Sequence, residues 1–159
     1  MPAIASALRI TGIDPATIVI GPDAESRPWV SNLAGQLGLA HLVAQKTRRG
    51  DRSVEIRFAE AASIAGRPAL LVDDIVSSGG TLMACAKVLR AAGATAVDAV
   101  ITHALFPPEM AAEFASAGIR SIRSTSSVPH PTNAIPLDGI FAHALRGEPS
   151  GATFPGITT

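Results

Sequence analysis

The chain has 159 residues, with thirteen basic and thirteen acidic side chains and a formal net charge of zero. That balance gives no basic surface for nucleic acid or anionic lipid, and no apolar run approaches the ~20 residues of a membrane span. A single cysteine excludes an internal disulfide and a cysteine-rich metal site, while 47% hydrophobic but only 4% aromatic residues require a core of Ala, Val, Ile and Leu.

Residues 1–16 read as a lead-in, broken by Arg9, Gly12, Asp14 and Pro15 and therefore unlike a signal peptide. The expected compartment is the cytoplasm. Thr17 to Asp23 is a short β-branched run ending on Gly-Pro-Asp, a first strand. Residues 26–38 predict a helix, with Trp29, Val30, Leu33 and Leu37 on one face and Gly38 as its stop. A second strand follows over 39–45. Over 52–59, Val54, Ile56 and Phe58 alternate with charged residues and predict an extended arm. Residues 67–74, RPALLVDD, form a near-continuous apolar run that suits a central parallel strand buried on both faces. Thr81 to Ala92 predicts a helix with Leu82, Cys85, Ala86 and Leu89 facing inward. A strand over 96–105, a helix over 107–118 with proline in its first turn, and a strand over 119–127 complete the alternation. Residues 136–145 form a short terminal element, and 147–159 a flexible tail. Strands alternating with helices predict an α/β fold, an open mostly parallel sheet flanked by helices, occupying 17–146.

The chemistry concentrates in LLVDDIVSSGGTL, residues 70–82. In such sheets ligands sit beyond the carboxyl ends of the strands. Asp73 and Asp74 stand at the end of the buried run. Ser77, Ser78, Gly79, Gly80 and Thr81 lead into the next helix, where successive N–H groups and hydroxyls suit a phosphate. Carboxylates repel phosphate but accept hydrogen bonds from sugar hydroxyls or hold a cation. A sugar phosphate meets both demands, with its phosphate on the loop and its diol on the aspartates. The plainer reading is a strand–turn–helix with an Asp cap and flexible glycines. Neither a Walker A loop nor a dinucleotide fingerprint is present. On this reading, replacing Gly79 by valine removes phosphate binding and leaves the fold intact.

This stretch resembles the phosphoribosyl pyrophosphate signature of type I phosphoribosyltransferases and ribose-phosphate pyrophosphokinases. Three further segments resemble the pyrophosphokinases: VIGPDAES (19–26), QKTRRGDRSVEI (45–56) and STSSVPHPTNAIPL (124–137). The resemblance implies a type I phosphoribosyltransferase-like fold corresponding to the C-terminal half of such an enzyme. It further implies that Asp73 and Asp74 bind the ribose hydroxyls of ribose 5-phosphate and that Ser77, Ser78, Gly79, Gly80 and Thr81 hold its phosphate. Lys46 and Arg48, on a mobile loop, would reach the polyphosphate of ATP, and Asp23 would help place Mg2+. The implied reaction moves the diphosphoryl group of ATP to ribose 5-phosphate, giving phosphoribosyl pyrophosphate and AMP. The family is usually oligomeric, so a homo-oligomer is expected.

The chain departs from the pattern in two respects. It matches half of such an enzyme, so it is expected to be inactive alone. Ala24, Glu25 and Ser26 also stand where the commoner form has glycine soon after the aspartate, and Glu25 adds negative charge there. Two other functions remain open: a nucleobase phosphoribosyltransferase, and a sugar-phosphate-binding module without catalysis. Without the resemblance, Lys46, Arg48, Arg49 and Arg52 read as an exposed basic turn. His41 reads as surface or structural, His130, between Pro129 and Pro131, as part of a turn, and His143 as structural. His103, near a strand's carboxyl end, reads either as a satisfied strand-end histidine or as a ligand contact. Cys85 reads as a small core residue, and Trp29 as core or a subunit contact.

Overall fold

A computed structural model describes residues 1–49 and 53–146, the side chains of 47–49 and 53–55 excepted. The expected tail and the Gly50–Arg52 turn lie outside the described residues. The strands are β1 (Ile18–Gly21), β2 (Ala40–Val43), β3 (Gln45–Arg49), β4 (Ser53–Arg57), β5 (Ala69–Val76), β6 (Val97–Ala104), β7 (Ser121–Thr125) and β8 (Asn133–Ile135). The α-helices are α1 (Pro2–Thr11), α2 (Arg27–Leu37), α3 (Gly80–Ala91), α4 (Ala111–Ser116) and α5 (Asp138–Leu145).

Six strands form one sheet in the order β2-β1-β5-β6-β7-β8, and every pairing in it is parallel. The uninterrupted apolar runs of β1, β5 and β6 follow from burial on both faces, because successive side chains point to opposite sides. Ile18, Ile20, Leu71, Ala99 and Ile101 pack with Leu82, Cys85, Leu89 and Phe114 on the face covered by α3 and α4. Val19, Leu70, Val72 and Val100 pack with Ile4, Leu8, Val30 and Leu33 on the face covered by α1 and α2. The α/β expectation of a mostly parallel sheet flanked by helices thus holds.

The differences from the sequence reading have local causes. The lead-in carries α1, which starts on Pro2 and buries Ile4, Ala5 and Leu8 on one face. Arg9 in its last turn breaks the apolar pattern but not the helix. The central strand does not end on the aspartates. It runs on through Ile75 and Val76, whose pairing with His103 and Ala104 extends the ladder. The 107–118 segment splits into a 3-10 turn at Pro108–Met110 and the short α4. The 119–127 run contributes only β7, and the small β8 beside it was not foreseen. The terminal element is the helix α5. The expected arm is an antiparallel hairpin, β3 with β4, anchored by Ala44, Ile56 and Phe58 in the core under α3 and α4. Trp29 is half-buried against the α1–α2 side of the core.

Candidate functional site

The strand order sets the position of the site. The chain runs outward from β1 to β2, then returns to place β5 on the other side of β1. The connections therefore diverge at the carboxyl ends of β1 and β5, leaving a crevice where ligands bind in open α/β sheets. Asp23 leaves β1 there, and Asp73 and Asp74 lie near the end of β5. The crevice has a volume of about 240 Å³ and is lined by Asp23, Glu25 and the continuous run Asp73–Leu82. That is smaller than the roughly 300–1,000 Å³ typical of drug-sized ligand pockets, and it suits a small polar molecule. All eight sequence-derived residues outside the Lys46–Arg48 pair, Asp23 included, thus stand around one space, as does Glu25.

Each wall has an identifiable builder. Asp23 caps the short 3-10 turn Ala24–Ser26: its carboxylate accepts from the Ser26 N–H at 3.2 Å, and the Ser26 hydroxyl donates back to the Asp23 carbonyl. Gly21 leaves room for this return, since a Cβ there would lie 2.1 Å from Ser26 Oγ in its present position. The β1 end is tied to α3 by Cys85, whose Sγ–H points to the Pro22 carbonyl at 3.7 Å. Burial, with Asp73 and Asp23 nearby, pushes the Cys85 thiol up to about 12. This agrees with its reading as an inert core residue.

The phosphate-loop candidate turns on Gly79, which has φ +66° and caps the start of α3. The expectation that valine here spares the fold is corrected by the packing. A Cβ at Gly79 would lie 2.5 Å from two ring carbons of Phe114, in the core, and the positive φ disfavours any side chain. Gly80 is open by comparison, with Ser78 Oγ the nearest neighbour at 3.9 Å.

Lys46 reaches this loop from the hairpin. Its Nζ donates to Thr81 Oγ1 at 3.0 Å. The lysine is paired in register with the buried Ile56, so it projects from the anchored base of the arm. Arg48 lies on β3 farther out, opposite Val54. Its side chain is outside the described set.

The carboxylates share an excess of negative charge. Burial, with Asp74 and Asp23 close by, pushes the Asp73 carboxyl up from 3.8 to about 7, although the Asp74 N–H donates to it at 3.0 Å. Among the described residues, no group of three or more His, Cys, Asp or Glu side chains is arranged to hold a metal by itself. An all-oxygen carboxylate set nevertheless fits a hard cation that takes its remaining ligands from substrate oxygens, the usual habit of Mg2+.

The histidines differ in how fully they are used. His130 engages Thr132 Oγ1 at 2.7 Å through Nδ1 and the Phe106 carbonyl at 3.0 Å through Nε2, and its ring meets Phe106 edge-on. His103 sits in β6 beside Ile75 and contacts Ser127 Oγ at 2.9 Å through Nδ1. Sequence reasoning could not connect it with Ser127, because sheet pairing creates that contact. No helix among the described residues is long and apolar enough to cross a membrane.

Comparison with known proteins accords with this geometry. The ribose-phosphate pyrophosphokinase of Methanopyrus kandleri is 33% identical over 129 residues, covering 81% of this chain and 44% of that protein. A plant relative, ribose-phosphate pyrophosphokinase 4 of Oryza sativa subsp. japonica, is 45% identical over 73 residues, 46% of this chain and 22% of its own length. The chain spans about half the length, or less, of the curated relatives it matches. Among solved structures, phosphoribosylpyrophosphate synthetase from Mycobacterium smegmatis has the same fold, with TM-score 0.70 at 22% identity over 89% of this chain and 50% of that one. A phosphoribosyl transferase domain profile matches residues 8–133. That match spans the sheet from β1 to the start of β8 and includes the switch-point loop, and the chain accordingly belongs to the phosphoribosyltransferase domain family.

Proposed function

We propose that this chain is the ribose 5-phosphate-binding, C-terminal half of a ribose-phosphate pyrophosphokinase. The reaction is transfer of the diphosphoryl group of ATP to the anomeric hydroxyl of ribose 5-phosphate, giving phosphoribosyl pyrophosphate and AMP. The observation that carries the reading is the Lys46–Thr81 contact at 3.0 Å. It brings the arm's lysine onto the phosphate loop beside the aspartate pair, as diphosphoryl transfer requires. Residues 17–146 are the catalytic-type domain, with 1–16 packed onto it.

In this reading Ser77–Thr81 hold the 5-phosphate through N–H groups at the start of α3 and through their hydroxyls. Asp73 and Asp74 accept from the ribose diol and fix the sugar. Lys46 and Arg48 neutralise the polyphosphate, since phosphoryl transfer is mainly positioning and charge stabilisation. Asp23 is the carboxylate that would hold Mg2+, which when bound neutralises charge on the transferring group. ATP and ribose 5-phosphate are the partners, and a homo-oligomer is expected.

Titration calorimetry tests the site. Changing Asp73 and Asp74 together to Asn weakens ribose 5-phosphate at least tenfold and inorganic phosphate little. Equal weakening of both ligands removes the diol role. Alone, the chain binds ribose 5-phosphate without releasing AMP from ATP and Mg2+. AMP release that disappears in Lys46→Ala refutes that part of the reading. Protection from heating by a purine or pyrimidine would point to nucleobase transfer instead.

A further inference from the structure

His103 is the one described histidine near the crevice whose ring nitrogens are unequally committed, and the hydroxyls around it fix its tautomer. The Thr125 and Ser127 hydroxyls approach the Thr102 carbonyl at 2.6 and 2.7 Å. A carbonyl oxygen carries no hydrogen, so contacts this short require each hydroxyl to donate its single proton there. Ser127 Oγ then has no proton left for His103. The 2.9 Å contact between them is made by an Nδ1–H that donates to Ser127 Oγ. Nε2 is left with its lone pair and no protein partner among the described residues. His130, by contrast, uses both nitrogens.

The sheet places His103 next to the site. His103 is paired in parallel register with Ile75, and Ile101 with Asp73. Paired residues in neighbouring parallel strands share a face. His103 therefore lies on the same face as Ile75, which lines the crevice together with Asp73. Ile75 is 51% exposed, so no bulky cover stands over this side. Ribose 5-phosphate has three hydroxyls, at C1, C2 and C3. The vicinal pair at C2 and C3 matches the neighbouring carboxylates, which leaves the anomeric hydroxyl without an acceptor.

Resting on the function proposed above, we infer that His103 Nε2 accepts a hydrogen bond from the anomeric hydroxyl of ribose 5-phosphate and so orients the attacking oxygen. Thr102, Thr125 and Ser127 act through it as positioning residues, by holding the Nδ1–H tautomer.

The experiment compares ribose 5-phosphate with 1,4-anhydroribitol 5-phosphate, which lacks the anomeric hydroxyl, by calorimetry on the wild-type chain and on His103→Asn. Asparagine keeps an N–H near Ser127 Oγ but has no counterpart of Nε2. The expected result is a roughly five- to tenfold loss of affinity for ribose 5-phosphate in His103→Asn, the scale of one neutral hydrogen bond, with the anhydro ligand unchanged. A second readout needs no variant: in the wild type, the His103 ring 15N signals report Nδ1–H, and the Nε2 signal moves with ribose 5-phosphate but not with the anhydro ligand. Equal affinities of variant and wild type for ribose 5-phosphate, equal losses for both ligands, or an Nε2–H tautomer overturn the inference while the proposed function stands. Failure of the wild-type chain to bind either sugar phosphate overturns both.

Discussion

Asp73 is held in a conflict that a single atom change relieves. Its carboxyl is pushed up to about 7 by burial and by Asp74 and Asp23, against an ordinary 3.8. Between those values the folded protein binds a proton that the unfolded chain does not, so stability falls as pH rises through the window and stays low above it. At about 1.36 kcal/mol per pH unit, the gap would correspond to about 4 kcal/mol for a fully sequestered group. Asp73 is half-buried at an open crevice, and solvent screening reduces this to about 2 kcal/mol. Asparagine at this position removes the charge and keeps an oxygen to accept from the Asp74 N–H. Asp73→Asn should therefore stabilise the free protein by about 2 kcal/mol at pH 8 and by almost nothing at pH 4, while ribose 5-phosphate affinity drops. Urea unfolding of both proteins from pH 4 to pH 8 measures this. A variant that is less stable at pH 8, or a difference that does not change with pH, would refute the account of Asp73 as a strained carboxylate kept for its ligand.

The packing around the loop gives a second contrast. Gly79→Ala must place a methyl against Phe114 in a left-handed conformation, costing about 1–2 kcal/mol for the backbone and about 1–3 kcal/mol for overpacking. Thermal unfolding should fall by roughly 5–15 °C, whereas Gly80→Ala should stay within about 0.5 kcal/mol of wild type; similar melting of the two variants would contradict the close approach at Phe114. The hairpin contact gives a third. Thr81→Val removes the Lys46 acceptor and one phosphate donor, and should weaken inorganic phosphate about tenfold or more, whereas Thr81→Ser should bind as wild type. Equal affinity in the valine variant, measured by calorimetry, would take Thr81 out of the site.

The aspartate pair, the small-residue loop and the Lys-x-Arg segment were legible because each is a contiguous run whose chemistry is local. Their convergence was not legible. Asp23 and Asp73 are fifty residues apart, and only the reversal of strand order at β1 puts them across one crevice. Lys46 was expected on a mobile loop, and only register with the buried Ile56 shows that it stands on a hairpin strand next to the core. The strand end was misjudged because a charged pair reads as a boundary, although the ladder to β6 continues for two residues beyond it. The helix α1 was missed because Arg9 and Gly12 mask a short apolar face that only packing against α2 and the sheet makes worth burying.

By itself, then, the sequence determined what depends on near neighbours: the alternation of strands and helices, the double-sided burial of β5 and the phosphate-suited turn before α3. Tertiary structure alone decided what depends on distant ones. The raised Asp73 carboxyl, the Phe114 ring behind Gly79, and the His103 tautomer set by Ser127 and Thr102 all arise where segments far apart in the chain are pressed together. No local pattern encodes the burial or the hydrogen-bond partners that such contacts create.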